Sequence, residues 1–233
     1  MIRVCAFLIL VSTAITGTLS AQMNVQSAPL APALAPSAIP APMPEASALL
    51  VYADDENAVT VTTPDGAVSA GSIGMEIPEG STVTTGSSSA ELQLAPNGSA
   101  IKLAPNTTFR IDALLGNPGA VANAFTLLGG KLRMVATKLA HVAEGYVVST
   151  PTAICGVRGT DFARRYDPAT NDDWLCVLDG VVDFHSPDGS RAVSVRGGTF
   201  VELDQGFVAK PVPAVWVKNN FKDIQFAKAT LPR

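Results

Sequence analysis

Three times the chain runs from a short alternating stretch through a proline, an Asp or Asn and a glycine, and out into another alternating stretch. The units are Val59–Val68 around Pro64-Asp65-Gly66, Leu92–Ile101 around Pro96-Asn97-Gly98, and Val182–Ser190 around Pro187-Asp188-Gly189. Alternation at period two puts every second side chain on one face, as in a half-buried strand. Asp-Gly and Asn-Gly accept the positive φ that a tight reversal demands. The expected class is therefore all-β: a β-sandwich, a roll or a short solenoid of hairpins. The second and third units continue alike, into Asn106–Ile111 and Gly198–Leu203, which reads as a weak repeat of about 90 residues and two related halves.

The core must be built mainly from aliphatic side chains. Apolar residues make up 47% of the chain and aromatic ones only 6%, so Val, Leu, Ile and Ala carry the packing. Helix is scarce. Ala120–Leu127 reads as a helical turn or loop before a strand over Gly129–Val135. Ala214–Ala227 sets Trp216 or Val217, Asn220 or Phe221, and Ile224 at helical spacing, which predicts a short amphipathic C-terminal helix packed on the sheet. Lys218, Lys222 and Lys228 would give that helix a basic face.

Four segments follow from composition. Residues 1–21 read as a cleaved secretory signal, with Arg3 ahead of the small and apolar run Cys5–Ile15 and small residues at Thr18–Ala21. Residues 22–48 form an Ala/Pro-rich linker with prolines at 29, 32, 36, 40, 42 and 44, each removing a backbone donor. The β-domain is expected over residues 49–210 and the C-terminal segment over 211–233. The expected address is periplasmic or secreted, and no later run is apolar enough to span a bilayer. The formal charge is −4 and becomes more negative once Arg3 leaves, which argues against a nucleic-acid partner.

The least ordinary stretch is Ser149–Arg165, STPTAICGVRGTDFARR. It alternates like a strand, yet Gly156 and Gly159 each remove a Cβ where another backbone can press close. Arg158 sits between them with a guanidinium fork. One reading makes it a clamp on Asp161, Asp179 or backbone carbonyls; the other makes it a contact for a ligand or partner carboxylate. Thr160 reads as a strand-pairing residue and Phe162 as a core residue.

The string Gly156-Val157-Arg158-Gly159-Thr160-Asp161-Phe162, preceded by Thr150-Pro151-Thr152-Ala153, resembles the signature of the FecR-type periplasmic domain. The resemblance spans roughly Val59–Val208, with Gly80–Gly86, Asn97-Gly98-Ser99 and Val177–Val182 in keeping. It implies an all-β periplasmic module. Its best-known members relay an iron-siderophore signal from an outer-membrane receptor to a cytoplasmic sigma factor. Those members carry a cytoplasmic helical domain and a transmembrane helix before the β-domain, whereas only Met1–Val4 precede the apolar run here. A sigma-factor contact by this chain itself is therefore not expected.

Chemistry finds few candidates. The histidines are His141 and His185, neither flanked by a second ligand at metal spacing. Serines abound, but no Gly-x-Ser-x-Gly elbow is present, and Gly156–Gly159 is followed by neither the lysine nor the helix of a phosphate loop. Neither an enzyme activity nor a cofactor is expected. Cys155 and Cys176 would remain after signal cleavage, and an oxidising compartment invites a disulfide between them. If Gly159–Tyr166 pairs with Trp174–Gly180, however, Cys176 faces a residue near Arg164 rather than Cys155. The expected function is a non-catalytic protein-interaction or scaffold module whose partner is another envelope protein. The alternatives are a module binding glycan, peptidoglycan or host protein, and a FecR-type signalling component without its own sigma-factor-binding domain.

Overall fold

Strand β1 (Ser47–Ala53) begins two residues before the expected boundary at Leu49, because Ser47 already pairs with Ala95 and Ala48 is fully buried. The computed structural model describes residues 46–140 and 145–227. The signal segment 1–21, most of the linker 22–48, His141 and Lys228 lie outside the described residues.

After β1 the chain forms β2 (Val59–Thr62), β3 (Val68–Ala70), β4 (Glu76–Ile77), β5 (Thr82–Thr85), β6 (Ala90–Ala95), β7 (Ala100–Leu103) and β8 (Thr108–Ala113). A long β9 (Asn123–Val135) is followed by β10 (Tyr146–Ser149), β11 (Ile154–Val157), β12 (Asp161–Asp167), β13 (Asp172–Asp179), β14 (Val181–His185), β15 (Ala192–Arg196), β16 (Thr199–Glu202) and β17 (Lys210–Pro211). The last element is helix α1 (Ala214–Asn220). All three Pro-Asp/Asn-Gly units are hairpins: β2 with β3, β6 with β7, and β14 with β15.

The strands form two sheets. The first runs β4–β1–β6–β7–β9–β12–β13–β16–β17. The second runs β3–β2–β5–β8–β9–β10–β11–β14–β15. Among the described strands, only β9 and β10 pair in parallel. Inward side chains of both sheets, among them Leu92, Met134, Phe162 and Leu175 from the first and Val61, Phe109, Phe125 and Phe184 from the second, make one apolar cluster. The architecture is therefore a β-sandwich. Each such large apolar side chain contributes about 1.5–3 kcal/mol by leaving water.

Strand β9 belongs to both sheets. Its first half pairs with β8 and β10, its second half with β7 and β12. The change of sheet falls at Gly129-Gly130. Gly130 has φ +95°, and a Cβ there would lie 2.6 Å from the Thr107 Cα, so no larger residue fits the bend. The structure corrects the expectation for Ala120–Leu127: from Asn123 onward it is strand. Its own pattern is weak, but β8 and β10 offer hydrogen-bonding edges on both sides, and pairing overrides propensity.

The approximately 90-residue repeat folds alike in its two copies, though in exchanged sheets. Hairpin β6–β7 lies in the first sheet and β8 crosses to the second, whereas β14–β15 lies in the second and β16 crosses to the first.

The outer face of the first sheet is covered. Ala163, Trp174 and Cys176 pack under Trp216, Val217, Phe221 and Ile224, with the Trp174 and Trp216 rings 4.9 Å apart edge to face. Helix α1 is shorter than the expected Ala214–Ala227. Past Phe221 the backbone serves the sheet instead of a helix: Phe221 and Ile224 dock as anchors, and the Ala227 N–H donates to Glu91 Oε1 at 2.7 Å. On the second sheet the outward residues of β14 and β15 stay open to solvent, Val181, Asp183, Ser194 and Arg196 among them.

Candidate functional site

The Ser149–Arg165 stretch is not one strand. It is β11 in the second sheet, a turn at Arg158–Thr160, and β12 in the first sheet. Gly159 makes the turn, with φ +81°, and the chain at Lys138 presses on it: an added Cβ would sit 2.9 Å from the Lys138 Cα and 3.1 Å from its N. The position is closed to any side chain on both counts. Gly156 is buried in β11 between Val147 and Asp183. Phe162 is a fully buried core residue. Thr160 is buried just before β12; its carbonyl accepts from the Ala136 N–H at 2.9 Å, while its hydroxyl has no partner among the described residues.

Arg158 is exposed and makes no ion pair or side-chain hydrogen bond within the described residues. The clamp expected of it is absent because Asp161 is already held by Arg133, through Nε at 2.9 Å and Nη2 at 2.7 Å. A bidentate pair of that kind leaves the carboxylate no reason to recruit a second guanidinium.

The buried clamp is Arg164, six residues on and missed by the sequence reading. Arg164 and Asp173 are both 0% exposed, and their side chains lie between the sheets. Arg164 Nε donates to Asp173 Oδ1 (3.1 Å) and Nη2 to Asp173 Oδ2 (2.8 Å). The remaining donors cross to the second sheet. Nη1 reaches the Val148 carbonyl (2.6 Å) and Cys155 Sγ (3.2 Å), and Nη2 reaches Thr150 Oγ1 (2.8 Å) and the Ala153 carbonyl (2.9 Å). Thr150 and Thr152 hydroxyls donate to Asp173 Oδ2 at 2.6 and 2.8 Å. Phe184 lies under the guanidinium at 5.4 Å. This explains the Thr-Pro-Thr that precedes the glycines: its two hydroxyls complete the shell of a buried carboxylate that would otherwise be costly. Parity was the available signal, since Arg164 shares its strand face with Phe162 and Tyr166, both core residues.

Cys155 and Cys176 are both buried free thiols, so the disulfide is not formed. Cys155 faces the core from the second sheet, whereas Cys176 faces away from it on the first sheet, beneath α1. The thickness of a sheet separates them, far outside disulfide geometry. In β12 and β13 Cys176 stands opposite Ala163, the neighbour of Arg164, as the hairpin pairing predicts. Burial pushes both thiols up to about 12, with the Arg164 charge opposing the shift at Cys155. Neither is a ready nucleophile.

His185 lies in β14 with Nδ1 3.1 Å from the Ser186 carbonyl. Among the described residues no three His, Cys, Asp or Glu side chains gather as a metal site would need. A cleft of about 390 Å3 opens on the outer face of the first sheet, lined by Tyr52, Asp54, Ser89, Lys102, Asp223 and Phe226 among others. Its polar groups are largely spent on one another. Lys102 pairs with the buried Glu91 at 3.1 Å, Asp223 with Lys131, and Asp54 accepts from the Tyr52 hydroxyl and from Ser89. The Ser89 hydroxyl above all holds Asp54 below the usual carboxylate value, and the hydrogen bond to Asp54 raises Tyr52.

With this geometry in hand, the FecR protein family matches residues 81–183, the span from just before β5 to the middle of β14. A FecR domain is detected at residues 81–183. These residues contain the whole Gly-Val-Arg-Gly turn, the Arg164–Asp173 pair and both threonines of its shell. No curated protein matches the chain. Two solved structures of a putative anti-sigma factor from Parabacteroides distasonis ATCC 8503 are similar to it. One is 15% identical with a TM-score of 0.49, covering 59% of this chain and 62% of that one. The other is 16% identical with a TM-score of 0.44, covering 53% and 55%. The chain thus spans about three fifths of the length of those structures. Among the described residues, no helix is long and apolar enough to cross a membrane.

Proposed function

We propose that this FecR-domain protein is a regulatory module of the bacterial cell envelope that works by contact with another protein and performs no chemistry. The observation that carries the reading is the match of residues 81–183 to the FecR family, with Arg158 exposed on a turn that the Lys138 backbone presses on. A side chain built into the core would explain the turn by stability alone; Arg158 contributes nothing visible to stability. The buried groups that resemble reactive ones, the two thiols and the Arg164–Asp173 pair, are sealed and mutually satisfied. The Cys5–Ile15 run supports delivery across the inner membrane as a secreted or periplasmic protein.

The test is chemical cross-linking in living cells that make the full-length chain, followed by fractionation and mass spectrometry of the adducts. The reading expects the chain in the envelope fraction and a discrete adduct with one other envelope protein. A chain confined to the cytoplasm, or recovered without any heteromeric adduct, overturns it.

A further inference from the structure

We propose that the outer face of the second sheet around Arg158, Val181 and Arg196 docks an acidic segment of the partner protein. The proposal rests on the protein-contact reading above and adds the surface and the chemistry of what it takes.

Every other described arginine is engaged. Arg110 pairs with Asp112, Arg133 with Asp161, Arg164 with Asp173, and Arg165 with Asp167 and Asp172, while Arg191 lies over the Phe207 ring at 4.6 Å. Arg158 and Arg196 alone have neither an acid nor a ring against their guanidinium among the described residues. The register then brings these two together. Val157, Val182 and Val195 form one row across β11, β14 and β15, all fully buried. Beyond that row, Val181 pairs with Arg196 and both face outward, while Arg158 follows Val157 directly into the exposed turn. Val181 is 38% exposed. Two unspent arginines thus issue from backbone about two strand spacings apart, roughly 10 Å, with the exposed Val181 between them. Lys138, exposed where it presses on Gly159, adds a third cation beside Arg158.

The geometry suits a face-on contact. Both backbone groups of Arg196 are already used, its N–H donating to Thr199 Oγ1 at 3.1 Å and its carbonyl accepting from that hydroxyl at 2.6 Å. Extension of the sheet by a partner strand along β15 is therefore blocked at this end. Asp183, two residues along on the same face, accepts from the Ser194 hydroxyl. What remains on offer is the pair of forks, which bind carboxylates bidentately, and the valine between them. The complementary partner carries two carboxylates at that spacing around an apolar residue.

The experiment places a photo-crosslinking amino acid at Val181 of the full-length chain in cells and identifies the linked peptide by mass spectrometry. A second position, the exposed Val68 of β3, serves for comparison. The expected result is a protein adduct at Val181 whose linked peptide bears at least two Asp or Glu residues. Arg158→Glu with Arg196→Glu should lower that adduct at least tenfold, Arg158→Gln with Arg196→Gln should lower it less, and exchanging the partner's acids for lysines should restore it in the Glu variant. Circular dichroism and the melting temperature of each variant, unchanged, separate loss of docking from loss of fold. An adduct that survives the double Glu substitution, a linked peptide without acids, or an adduct with lipid alone overturns the proposal. Adducts at Val68 and none at Val181 overturn this surface while leaving the protein-contact function standing; none at either position counts against both.

Discussion

Arg158 and Arg164 lie six residues apart on one stretch and end in opposite surroundings. Arg164 fills a slot between the sheets, where an aspartate, one threonine, a thiol and two carbonyls consume its donors. Arg158 stands on the turn that leads out of the second sheet and spends none of its donors on the described protein. The same residue type thus serves architecture in one place and presentation in the other. Strand parity and the change of sheet at Gly159 decide which.

Removing the buried arginine should break this comparison most severely. Arg164→Ala leaves Asp173 charged and without its counter-ion, and should cost about 3–5 kcal/mol in urea denaturation. Replacing the pair together, Arg164→Met with Asp173→Leu, should recover most of that loss, because the penalty lies in the unpaired charge. A double variant as unstable as the single would show that the shell, not the pair, holds the sheets together. Thr150→Val tests that shell directly and should cost roughly 1–3 kcal/mol, the desolvation of an under-satisfied carboxylate.

The thiols sharpen the contrast between core and cover. Phe221→Ala should loosen the cap over the first sheet by about 3 kcal/mol. Cys176 should then react with a thiol reagent up to about a hundredfold faster, at 1.4 kcal/mol per decade, while Cys155 stays at the rate of global unfolding. Equal acceleration at both thiols would mean that the cap and the core open as one unit.

Smaller effects are expected at the turns. Arg158→Gln should shift stability by no more than about 0.5 kcal/mol, as surface changes do. A larger loss would return Arg158 to the architectural role. At the third hairpin, hydrogen bonds led by the Ser186 hydroxyl hold Asp188 at about 2, below its usual 3.8. A carboxyl depressed on folding stabilises above its unfolded value, so its contribution should persist above pH 4 and fade as pH falls toward 2. Carbon chemical shifts of Asp188 followed through that range check the sign.

Much of this was legible in the chain. The Pro-Asp/Asn-Gly reversals identified three hairpins because turn chemistry is local, and the apolar spacing after Pro213 identified the helix that covers the first sheet. The ends of elements were less legible. Past Phe221 the tail gives up helix for contacts with Glu91, a residue far away in sequence. Likewise Ala120–Leu127 looks featureless alone and becomes strand only between two partners. The clamp was assigned to the arginine framed by glycines, since glycines mark close approach. Gly159 does so here, but what approaches is the Lys138 backbone, and Arg158 itself is exposed. Burial of Arg164 depends on Val148, Thr150 and Ala153 meeting it from the opposite sheet, which no local pattern contains.

Because β9 is a member of both layers, neither layer closes until it is in place. A chain released from its N-terminus onward must hold β1 to β8 with raw edges until Val135 has emerged, and must then zip two interfaces with a single segment. Such a molecule invites a holding chaperone during synthesis, and a single backbone cut near Gly130 would unlace both layers at once.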